Sequence, residues 1–448
     1  MTVSLPLRAA VPGAVSLRTD EIGGRQVVIA TVDATERSGA LSPDDGETLA
    51  VAARSACAAG LPLVVYLASS GADVTEGIAA LHGWGRAARA LVQCSGVVPT
   101  IIVVTGPAVS GPALLLGIAD FVIMTGDAYA FVSGPHMVRE FTGVPISNVH
   151  LGGAGAHARS SGVATVVVDR VDDATEAVAE ILDHIPDNAD SEPPRWACSD
   201  PVDRATPEAG AILPATATGS YDVRAIITAI ADDGELFELR APWAANIVTA
   251  FGRLDGRSVG FVANQPTTIA GTLDIPSSQK GARFVSFCDA FNIPIVTLVD
   301  TPGFYPGKDL EWRGMIRHGA QLAFAYCRAT VPRVNLTLRK SYGGAYIVMD
   351  SKRIGNDVAL AWPSAEIAVM GAKGATEILH RTATPAQRLE LEQAYEERLL
   401  NPYVAAERGY IDAVIDPADT RRELIAALEV LSSKVERLVA RSHDNIPL

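Results

Sequence analysis

Apolar and amphipathic segments alternate along the first half of the chain. Four uninterrupted apolar segments predict buried strands, at residues 26–34, 61–71, 97–106 and 121–125. Two longer segments of mixed polarity between them predict helices, at residues 42–59 and 77–94. Strands that are apolar on both faces and separated by helices are typical of a mostly parallel sheet covered by helices. The first half therefore predicts an α/β fold.

The second half repeats this order of elements. Residues 292–303 align with residues 60–71, which places Pro294 on Pro62 at an offset of 232 residues. At an offset of 233 residues, three further residues coincide with their counterparts: Cys327 with Cys94, Pro332 with Pro99, and Gly344 with Gly111. A strand, a helix, a second strand and a glycine turn therefore occur twice. Repetition over so long a period predicts two copies of one domain rather than a solenoid of short repeats.

The remaining elements follow from local patterns. Two strands are predicted within residues 243–266, on either side of the turn Asp255-Gly256. Further helices are predicted at residues 280–291, 315–330, 385–400 and 420–440. Residues 185–221 are rich in Pro, Asp, Ser and Ala, which indicates a linker or a surface excursion. We therefore predict one domain over residues 1–205 and a second over residues 206–448.

Composition narrows the functional classes. The chain has 448 residues and a net charge of −14, without any cluster of Lys and Arg, so we expect neither nucleic-acid nor membrane-surface binding. The richest apolar segment, residues 112–124, contains Asp120 and is too short to span a bilayer. Residues 1–26 lack an uninterrupted apolar stretch, so no signal peptide is expected. Five isolated cysteines argue against a zinc ribbon or a disulfide framework. We predict a cytoplasmic protein.

The candidate chemistry lies in the backbone of the glycine turns. In the second copy, Gly343 and Gly344 join a predicted strand to a predicted helix. Glycine lets a ligand oxygen approach the chain without meeting a Cβ, and the first N–H groups of a helix are unpaired and attract negative charge. Such a turn can stabilise a developing oxyanion. Small residues at such turns also serve close packing, and the duplication is what favours the functional interpretation.

Long motifs in the second half resemble one enzyme family. They lie at residues 252–266, 300–304, 343–346, 368–371 and 401–409. From about Tyr221 to its end, the chain resembles the carboxyltransferase (β) subunits of acyl-CoA carboxylases of the propionyl-CoA carboxylase type. The resemblance implies an α/β fold of two tandem crotonase-like (ClpP/crotonase) domains, each a copy of a duplicated ββα superhelix. It also implies a homo- or hetero-hexamer of β subunits with active sites between subunits.

The resemblance further implies a reaction. A carboxyl group would move from carboxybiotin to the α-carbon of an acyl-CoA, whether acetyl-, propionyl- or longer, through an enolate. The N–H groups of Gly344 and Ala345 would hold the ureido oxygen of biotin, and those of Ser110 and Gly111 the oxygen of the acyl thioester. Two oxyanion holes leave no need for a side-chain base, and the sequence contains no recognisable nucleophile, triad or metal-ligand set.

Further site residues follow from the same resemblance. Ile347, with Tyr346 beside it, would grade the length of the acyl chain, and isoleucine there suggests tolerance of acetyl or another acyl group. The rest of the biotin and CoA pocket is assigned to Gly343, Gly303, Phe304, Gly371, Gly71 and Ala72. No metal site is assigned.

The first copy departs from the family pattern. Family members usually have Asp-Ser-Gly-Gly-Ala-Arg where this chain has residues 68–73, and Ala-Gly-Gly-Ala where it has residues 109–112. Pro112 offers no N–H, although proline is harmless in the first turn of a helix. Asp73 replaces an arginine near the expected position of the anionic CoA. The CoA site of the first copy is therefore either retuned or degraded.

Three other features have two interpretations each. The segment from Gly303 to Lys308 resembles a phosphate-binding loop but is one residue short and lacks the Ser or Thr, which favours a turn. His136, His150 and His157 surround a glycine-rich loop, where local structural roles are favoured over a metal site. Four basic residues would face CoA phosphates or lie on solvated surface, namely Lys308, Arg313, Arg317 and Arg339.

The cofactor and the partner are implied together. The sequence contains no Met-Lys-Met biotinylation site and no ATP-binding glycine loop. Biotin would therefore arrive on a biotin carboxylase or biotin carboxyl carrier α subunit. Alternatives are an acyl-CoA decarboxylase or transcarboxylase of the same fold, or a non-catalytic β paralogue in a mixed hexamer.

Overall fold

The chain folds into two compact units. The computed structural model describes residues 13–216, 218–440, 442 and 445–447. The units divide between Glu192 and Pro193. The expectation of no signal peptide concerns residues 1–26, of which 1–12 lie outside the described residues. No helix in the described part of the chain is long and apolar enough to cross a membrane.

The first unit is built on a mostly parallel sheet. Its strands are β1 (Val15–Ile22), β2 (Arg25–Val32), β3 (Leu63–Ser69), β4 (Thr100–Val109), β5 (Phe121–Thr125), β6 (Tyr129–Phe131) and β7 (Val166–Val168). Its helices are α1 (Pro43–Ala59), α2 (Ile78–Cys94), α3 (Gly111–Ile118), α4 (Pro135–Thr142), α5 (Asn148–Gly152), α6 (Ala154–Ala156) and α7 (Val171–His184). The strand order is β1-β2-β3-β4-β5-β7, and β6 pairs with β4. The β1–β2 pair is antiparallel and the pairs from β2 to β7 are parallel.

The second unit repeats this plan. Its strands are β8 (Phe237–Glu238), β9 (Ile247–Leu254), β10 (Arg257–Asn264), β11 (Ile295–Thr301), β12 (Arg333–Tyr342), β13 (Val358–Ala361), β14 (Glu366–Ala368) and β15 (Ala413–Val414). Its helices are α8 (Pro207–Ala211), α9 (Val223–Ile230), α10 (Ile275–Ala290), α11 (Lys308–Trp312), α12 (Met315–Arg328), α13 (Gly343–Val348), α14 (Ala372–Leu379), α15 (Pro385–Leu399), α16 (Pro402–Glu407) and α17 (Thr420–Val430). The strand order is β15-β13-β12-β11-β10-β9-β8, and β14 pairs with β12.

The duplication extends to single hydrogen bonds. In the first unit, the N–H of Gly71 donates to Ser69 Oγ at 3.2 Å; in the second, the N–H of Gly303 donates to Thr301 Oγ1 at 3.3 Å. The register between the two central strands shifts just before each of these hydroxyl residues, between β3 and β4 and between β11 and β12. These matches confirm the predicted repeat of one domain.

Most sequence-based elements agree with the structure. The predicted strands and helices of the first half lie within three residues of β2, β3, β4, β5, α1 and α2 at each end. Strand β1 was missed, because polar residues fill its exposed positions. Asp255 and Gly256 form the predicted turn, with φ of 53° and 69°. Helix α10 begins earlier than predicted, since Asp274 caps it by accepting the N–H of Ser277 at 3.0 Å.

One predicted helix is too long. The prediction over residues 420–440 is wrong beyond Val430, where α17 ends. Ser432 and Ser433 follow, and serine favours turns over helix interiors. Lys434 Nζ then donates to Asp357 Oδ2 at 2.9 Å, which fixes the chain in another direction.

The segment between the copies belongs with the second unit. Arg421 is fully buried and donates to the carbonyl oxygens of Pro201 at 3.0 Å and Asp200 at 3.2 Å. Residues 193–205, which the predicted boundary placed in the N-terminal domain, thus pack with the C-terminal unit. The division in the structure precedes the predicted boundary and lies within the Pro-, Asp- and Ser-rich segment.

Candidate active site

The glycine turn of the second unit joins β12 directly to α13. Gly343 has φ of +58°, and a Cβ there would lie 3.1 Å from the carbonyl oxygen of Val369. Both facts favour glycine at this position. No side chain caps α13. Within the described part of the chain, the N–H groups of Gly344 and Ala345 have no hydrogen-bond partner. The turn therefore presents two backbone donors in sequence.

The predicted pocket residues of the second unit gather around this turn. Gly344 is exposed, and a Cβ on it would lie 3.4 Å from the Phe304 ring. A Cβ on Gly371 would likewise lie 3.4 Å from the ring of Tyr342. The Tyr342 hydroxyl donates to Glu366. Gly303 precedes Phe304 in the loop that follows β11. The structure thus brings Gly344, Phe304 and Gly371 close to one turn.

The two residues assigned to acyl-chain length lie on α13. Ile347 is 49% exposed, whereas Tyr346 is half-buried. Burial raises the pKa of Tyr346 above its ordinary value, so its hydroxyl stays protonated. Ala345 is fully buried, backbone included, so of the two donors only the N–H of Gly344 belongs to an exposed residue. The specificity role of Ile347 and Tyr346 stays a prediction.

The glycine turn of the first unit has a similar backbone but fewer donors. Ser110 has φ of 62°, close to that of Gly343. Its N–H donates to the carbonyl oxygen of Phe131 at 2.9 Å. Pro112 has no N–H. Among the described residues, only the N–H of Gly111 at this turn lacks a partner, and the predicted role of Ser110 as a donor requires its bond to Phe131 to open.

An indole ring packs against one side of this first turn. A Cβ on Gly111 would lie 2.9 Å from Trp84 Nε1 and 3.0 Å from Trp84 Cδ1. Trp84 comes from α2, and its Nε1 is buried without a hydrogen-bond partner in the described part of the chain. Gly111 is therefore needed for close packing against Trp84. No signal in the sequence paired these two residues.

The charge reversal at Asp73 is balanced locally. Asp73 Oδ2 accepts from Arg37 Nη1 at 2.8 Å, and Arg37 Nη2 donates to Asp45 Oδ2 at 2.8 Å. Hydrogen bonds from Thr75, followed by the charge of Arg37, lower the pKa of Asp73 below its ordinary value. The preceding residue, Ala72, forms an isolated parallel β-bridge with Leu41. The Asp73 carboxylate is thus already partnered within its own unit.

A buried ion pair lies behind the second turn. Arg339, which the sequence placed either on CoA phosphates or on solvated surface, is only 7% exposed and donates from Nε to Asp300 Oδ2 at 3.0 Å. Both interpretations of Arg339 are therefore wrong. Lys308, Arg313 and Arg317 lie on exposed surface. Asp300 is the first residue of the motif at 300–304, but no local sequence pattern identifies its partner.

The three histidines make local hydrogen bonds or ion pairs. His150 Nδ1 lies 2.8 Å from Ser147 Oγ, and His157 Nε2 lies 2.8 Å from the carbonyl oxygen of Ala130. His136 lies on the surface beside Glu140. No group of three metal-binding side chains occurs among the residues that the structure describes.

Comparison with known proteins gives matches along most of the chain. Residues 11–446 match the family described as carboxyl transferase domain. The propionyl-CoA carboxylase beta chain of Saccharopolyspora erythraea is 44% identical over 446 residues, covering 95% of this chain and 82% of that protein. The methylmalonyl-CoA carboxyltransferase 12S subunit of Propionibacterium freudenreichii subsp. shermanii is 42% identical over 431 residues, covering 95% and 82%.

A solved structure shows the same fold. The hexameric transcarboxylase 12S with hydrolysed methylmalonyl-coenzyme A bound has a TM-score of 0.95 to this chain at 41% identity. The match covers 97% of this chain and 85% of that one. It confirms the predicted α/β fold of two tandem crotonase-like domains.

Proposed function

The chain belongs to the carboxyl transferase domain family, and from this premise we propose that it is a carboxyltransferase that moves a carboxyl group from carboxybiotin to the α-carbon of an acyl-CoA. The observation that carries the proposal is that the N–H groups of Gly344, which is exposed, and of Ala345 have no hydrogen-bond partner among the described residues. Relatives named for acetyl- and propionyl-CoA carboxylase and for methylmalonyl-CoA carboxyltransferase support this reaction class.

The second turn is assigned to the biotin ureido oxygen. Carboxybiotin supplies the carboxyl group and, once that group has left as CO₂, a basic ureido nitrogen that accepts the α-proton of the acyl-CoA. Gly344 and Ala345 donate hydrogen bonds to the ureido oxygen while negative charge collects there. Loss of one such donor in known enzymes costs about 2.7–4 kcal/mol. The absence of a Cβ at Gly344 is what leaves space for the oxygen.

The first turn is assigned to the acyl thioester. Gly111 donates its N–H to the thioester oxygen, which carries the charge of the enolate. Ser110 contributes a second donor only if Phe131 releases its N–H. Gly71 and Ala72 line the same pocket, and Ile347 with Tyr346 sets the length of the acyl chain. Ile347 accommodates acetyl or another acyl group.

The cofactor and partner belong to the same proposal. Biotin reaches the second turn on a biotin carboxylase or biotin carboxyl carrier α subunit, since a relative from Mycobacterium tuberculosis, 43% identical over 445 residues, is named a biotin-dependent acetyl-/propionyl-coenzyme A carboxylase beta5 subunit. The chain assembles as a homo- or hetero-hexamer, by analogy with the hexameric structural relative. A cytoplasmic location, without nucleic-acid or membrane binding, remains part of the proposal.

The test combines a partner search with an assay. The tagged chain is purified from cells that express it and probed with streptavidin for a biotinylated partner. The complex is then supplied with ATP, bicarbonate and a series of acyl-CoA thioesters of increasing length. We expect a biotinylated partner and ATP-dependent carboxylation of at least one thioester. A complex that carboxylates none of them, while an active relative assayed alongside succeeds, contradicts the proposal.

A second candidate is a non-catalytic β paralogue that completes a mixed hexamer. It is favoured by the first turn, where the Ser110 N–H is occupied, Pro112 lacks an N–H, and Trp84 packs against Gly111. Calorimetry with acyl-CoA and native mass spectrometry distinguish the candidates. No acyl-CoA binding, together with a hexamer that contains a second β chain, favours the paralogue. Release of CO₂ from a carboxylated acyl-CoA without ATP favours a decarboxylase.

A further inference from the structure

Asp300 lies buried at the end of β11, beside the strand that leads into the second glycine turn. Its Oδ1 accepts the N–H of Lys340 at 3.1 Å. Its Oδ2 accepts from Arg339 Nε at 3.0 Å and from the hydroxyl of Tyr221 at 2.8 Å. The residue is 2% exposed, and its own N–H donates to Asn264 Oδ1 at 3.2 Å. Asp300 is thus held by four hydrogen bonds.

The shift in strand register explains why Lys340 needs this acceptor. Val299 pairs with Thr337, but Thr301 pairs with Ser341, so three residues of β12 lie opposite Asp300 alone. A bulge of this kind leaves backbone groups without ladder partners. A buried N–H without an acceptor costs about 1–3 kcal/mol. The Asp300 carboxylate supplies the acceptor at the last residue of the bulge.

The first unit makes the same bulge without a carboxylate. Leu67 pairs with Val104 and Ser69 pairs with Ala108, which is the equivalent shift. By the offsets of the repeat, the residues at the positions of Asp300, Arg339 and Lys340 are Ala68, Gly106 and Pro107. Proline has no N–H and needs no acceptor. The first unit therefore has no N–H group to pair at this position, whereas in the second unit the N–H of Lys340 is paired with the Asp300 carboxylate.

We propose that Asp300 is a positioning residue for carboxyl transfer, which fixes the bulge of β12 and thereby the direction of the Gly344 and Ala345 N–H groups. The inference rests on the proposed function. Lys340 lies three residues before Gly343, so a change in the bulge passes directly into the turn. Arg339 Nη1 also donates to the carbonyl oxygen of Gly219 at 2.8 Å, which holds the guanidinium on Asp300.

The protonation of the partners supports this role. Burial, followed by the nearby charge of Asp300, raises the pKa of Tyr221 well above its ordinary value. The Tyr221 hydroxyl therefore remains a hydrogen-bond donor to the carboxylate throughout the neutral range. The guanidinium of Arg339 also lies 5.3 Å from the centre of the Tyr221 ring. The carboxylate is thus fixed from two sides.

The experiment first removes the carboxylate and then introduces, at all three positions, the residues that the first unit has there. Asp300→Ala in the whole complex is expected to lower kcat between about tenfold and 100-fold, since small misplacements of binding groups have effects of this size. The KM for acyl-CoA is expected to change less than kcat, because the thioester oxygen is assigned to the other turn and only the acyl chain to Ile347 and Tyr346. The triple variant Asp300→Ala, Arg339→Gly, Lys340→Pro is expected to recover most of kcat.

A matched control separates positioning from general stability. Asp289 Oδ1 accepts the N–H of Thr330 at 2.6 Å and of Val331 at 3.3 Å, at the opposite end of β12. Asp289→Ala is expected to lower the unfolding temperature and leave kcat unchanged. Full kcat in Asp300→Ala, or an equal loss of kcat in Asp289→Ala, overturns the proposal.

A second readout does not depend on activity. Amide hydrogen exchange of residues 339–345 is expected to accelerate in Asp300→Ala and in Asp300→Asn but not in Asp289→Ala. If the wild-type complex transfers no carboxyl group, the proposed function fails, while this exchange pattern still tests the coupling between Asp300 and the turn. Unchanged exchange in both Asp300 variants refutes that coupling.

Discussion

The two glycine turns begin with nearly the same positive φ but differ in the number of N–H groups that are free. Ser110 and Gly343 occupy equivalent positions with φ of 62° and 58°. After Gly343, two N–H groups have no partner among the residues that the structure describes, and Gly344 is exposed. After Ser110, Gly111 packs under Trp84 and the next residue is proline. The two copies therefore share the backbone path at the turn, but only the second copy keeps two free N–H groups there.

The reason is that the backbone path and the free N–H groups depend on different features of the chain. The path follows from the strand register, which pairs β3 with β4 and β11 with β12 with the same shift. Many backbone hydrogen bonds hold that register, so single substitutions change it little. A donor depends on one residue, and one proline or one neighbouring carbonyl oxygen, such as that of Phe131, removes it. The second turn is thus the better candidate for catalysis.

The largest expected effect is at the accessible turn. We expect Gly344→Val to reduce carboxyl transfer by at least about 100-fold, because the side chain fills the space in front of the donors. The fold should persist, since a Cβ at this position meets only the Phe304 ring, at 3.4 Å. Transfer rates and thermal unfolding of the same preparation measure both effects. Gly344→Ala is the control and should lose less activity. Full activity in the valine variant would leave the catalytic role of this turn without support.

The same substitution at the first turn should also lower stability. We expect Gly111→Val to lower the free energy of unfolding by about 1–3 kcal/mol, because its Cβ would lie 2.9 Å from Trp84 Nε1. Urea denaturation measures the change. When Trp84→Ala is already present, the further loss caused by Gly111→Val should become smaller, since the clash is removed. Equal losses in both backgrounds would show that Trp84 is not the cause.

A donor can be restored at the first turn. Pro112→Ala places an N–H at the position equivalent to Ala345, and we expect kcat/KM for acyl-CoA to rise about threefold to tenfold, as one hydrogen bond allows. Steady-state kinetics with the cognate partner measure it. Pro107→Ala is the control, because its new N–H lies in the bulge opposite Ala68, which offers no side-chain acceptor, and it should give no increase. No change in Pro112→Ala would argue against a thioester site at this turn.

The smallest expected effect concerns backbone strain. Ser110 adopts φ of 62° and ψ of −124°, a region that favours glycine. Ser110→Gly should therefore raise the free energy of unfolding by about 1 kcal/mol. Gly343→Ser should lower it by at least as much, because Val369 O is also close to the new Cβ. Thermal unfolding of the two variants tests whether the two changes in the free energy of unfolding have opposite signs. Changes of the same sign would contradict the prediction.

Much of the fold was accessible from sequence. The apolar strands, the helices between them and the offset between Pro62 and Pro294 are local or periodic patterns, and they predicted the α/β class and the duplication. Errors arose where a local signal was weak: β1 alternates with exposed polar residues, and α17 ends at Val430 because Lys434 is bound to Asp357. The long motifs also identified the family.

The candidate site was only partly accessible. Gly343 and Gly344 were named from the turn between strand and helix and Gly371 from the resemblance, and the structure places them close to one another. Whether Ser110 and Gly111 present their N–H groups was beyond the sequence, because the answer lies in Phe131 and Trp84. Arg339 looked like a surface cation because its burial depends on Asp300.

The sequence by itself determined the order of elements, the repeat and the two bends at Ser110 and Gly343, since each follows from spacing and residue type over a short stretch. Tertiary structure alone decided which bend keeps its donors and what holds it in place. Those decisions depend on contacts between residues far apart in the chain, such as Asp300 with Arg339 and Ser110 with Phe131. Such contacts form only when strands and helices pack, so no local sequence pattern predicts them.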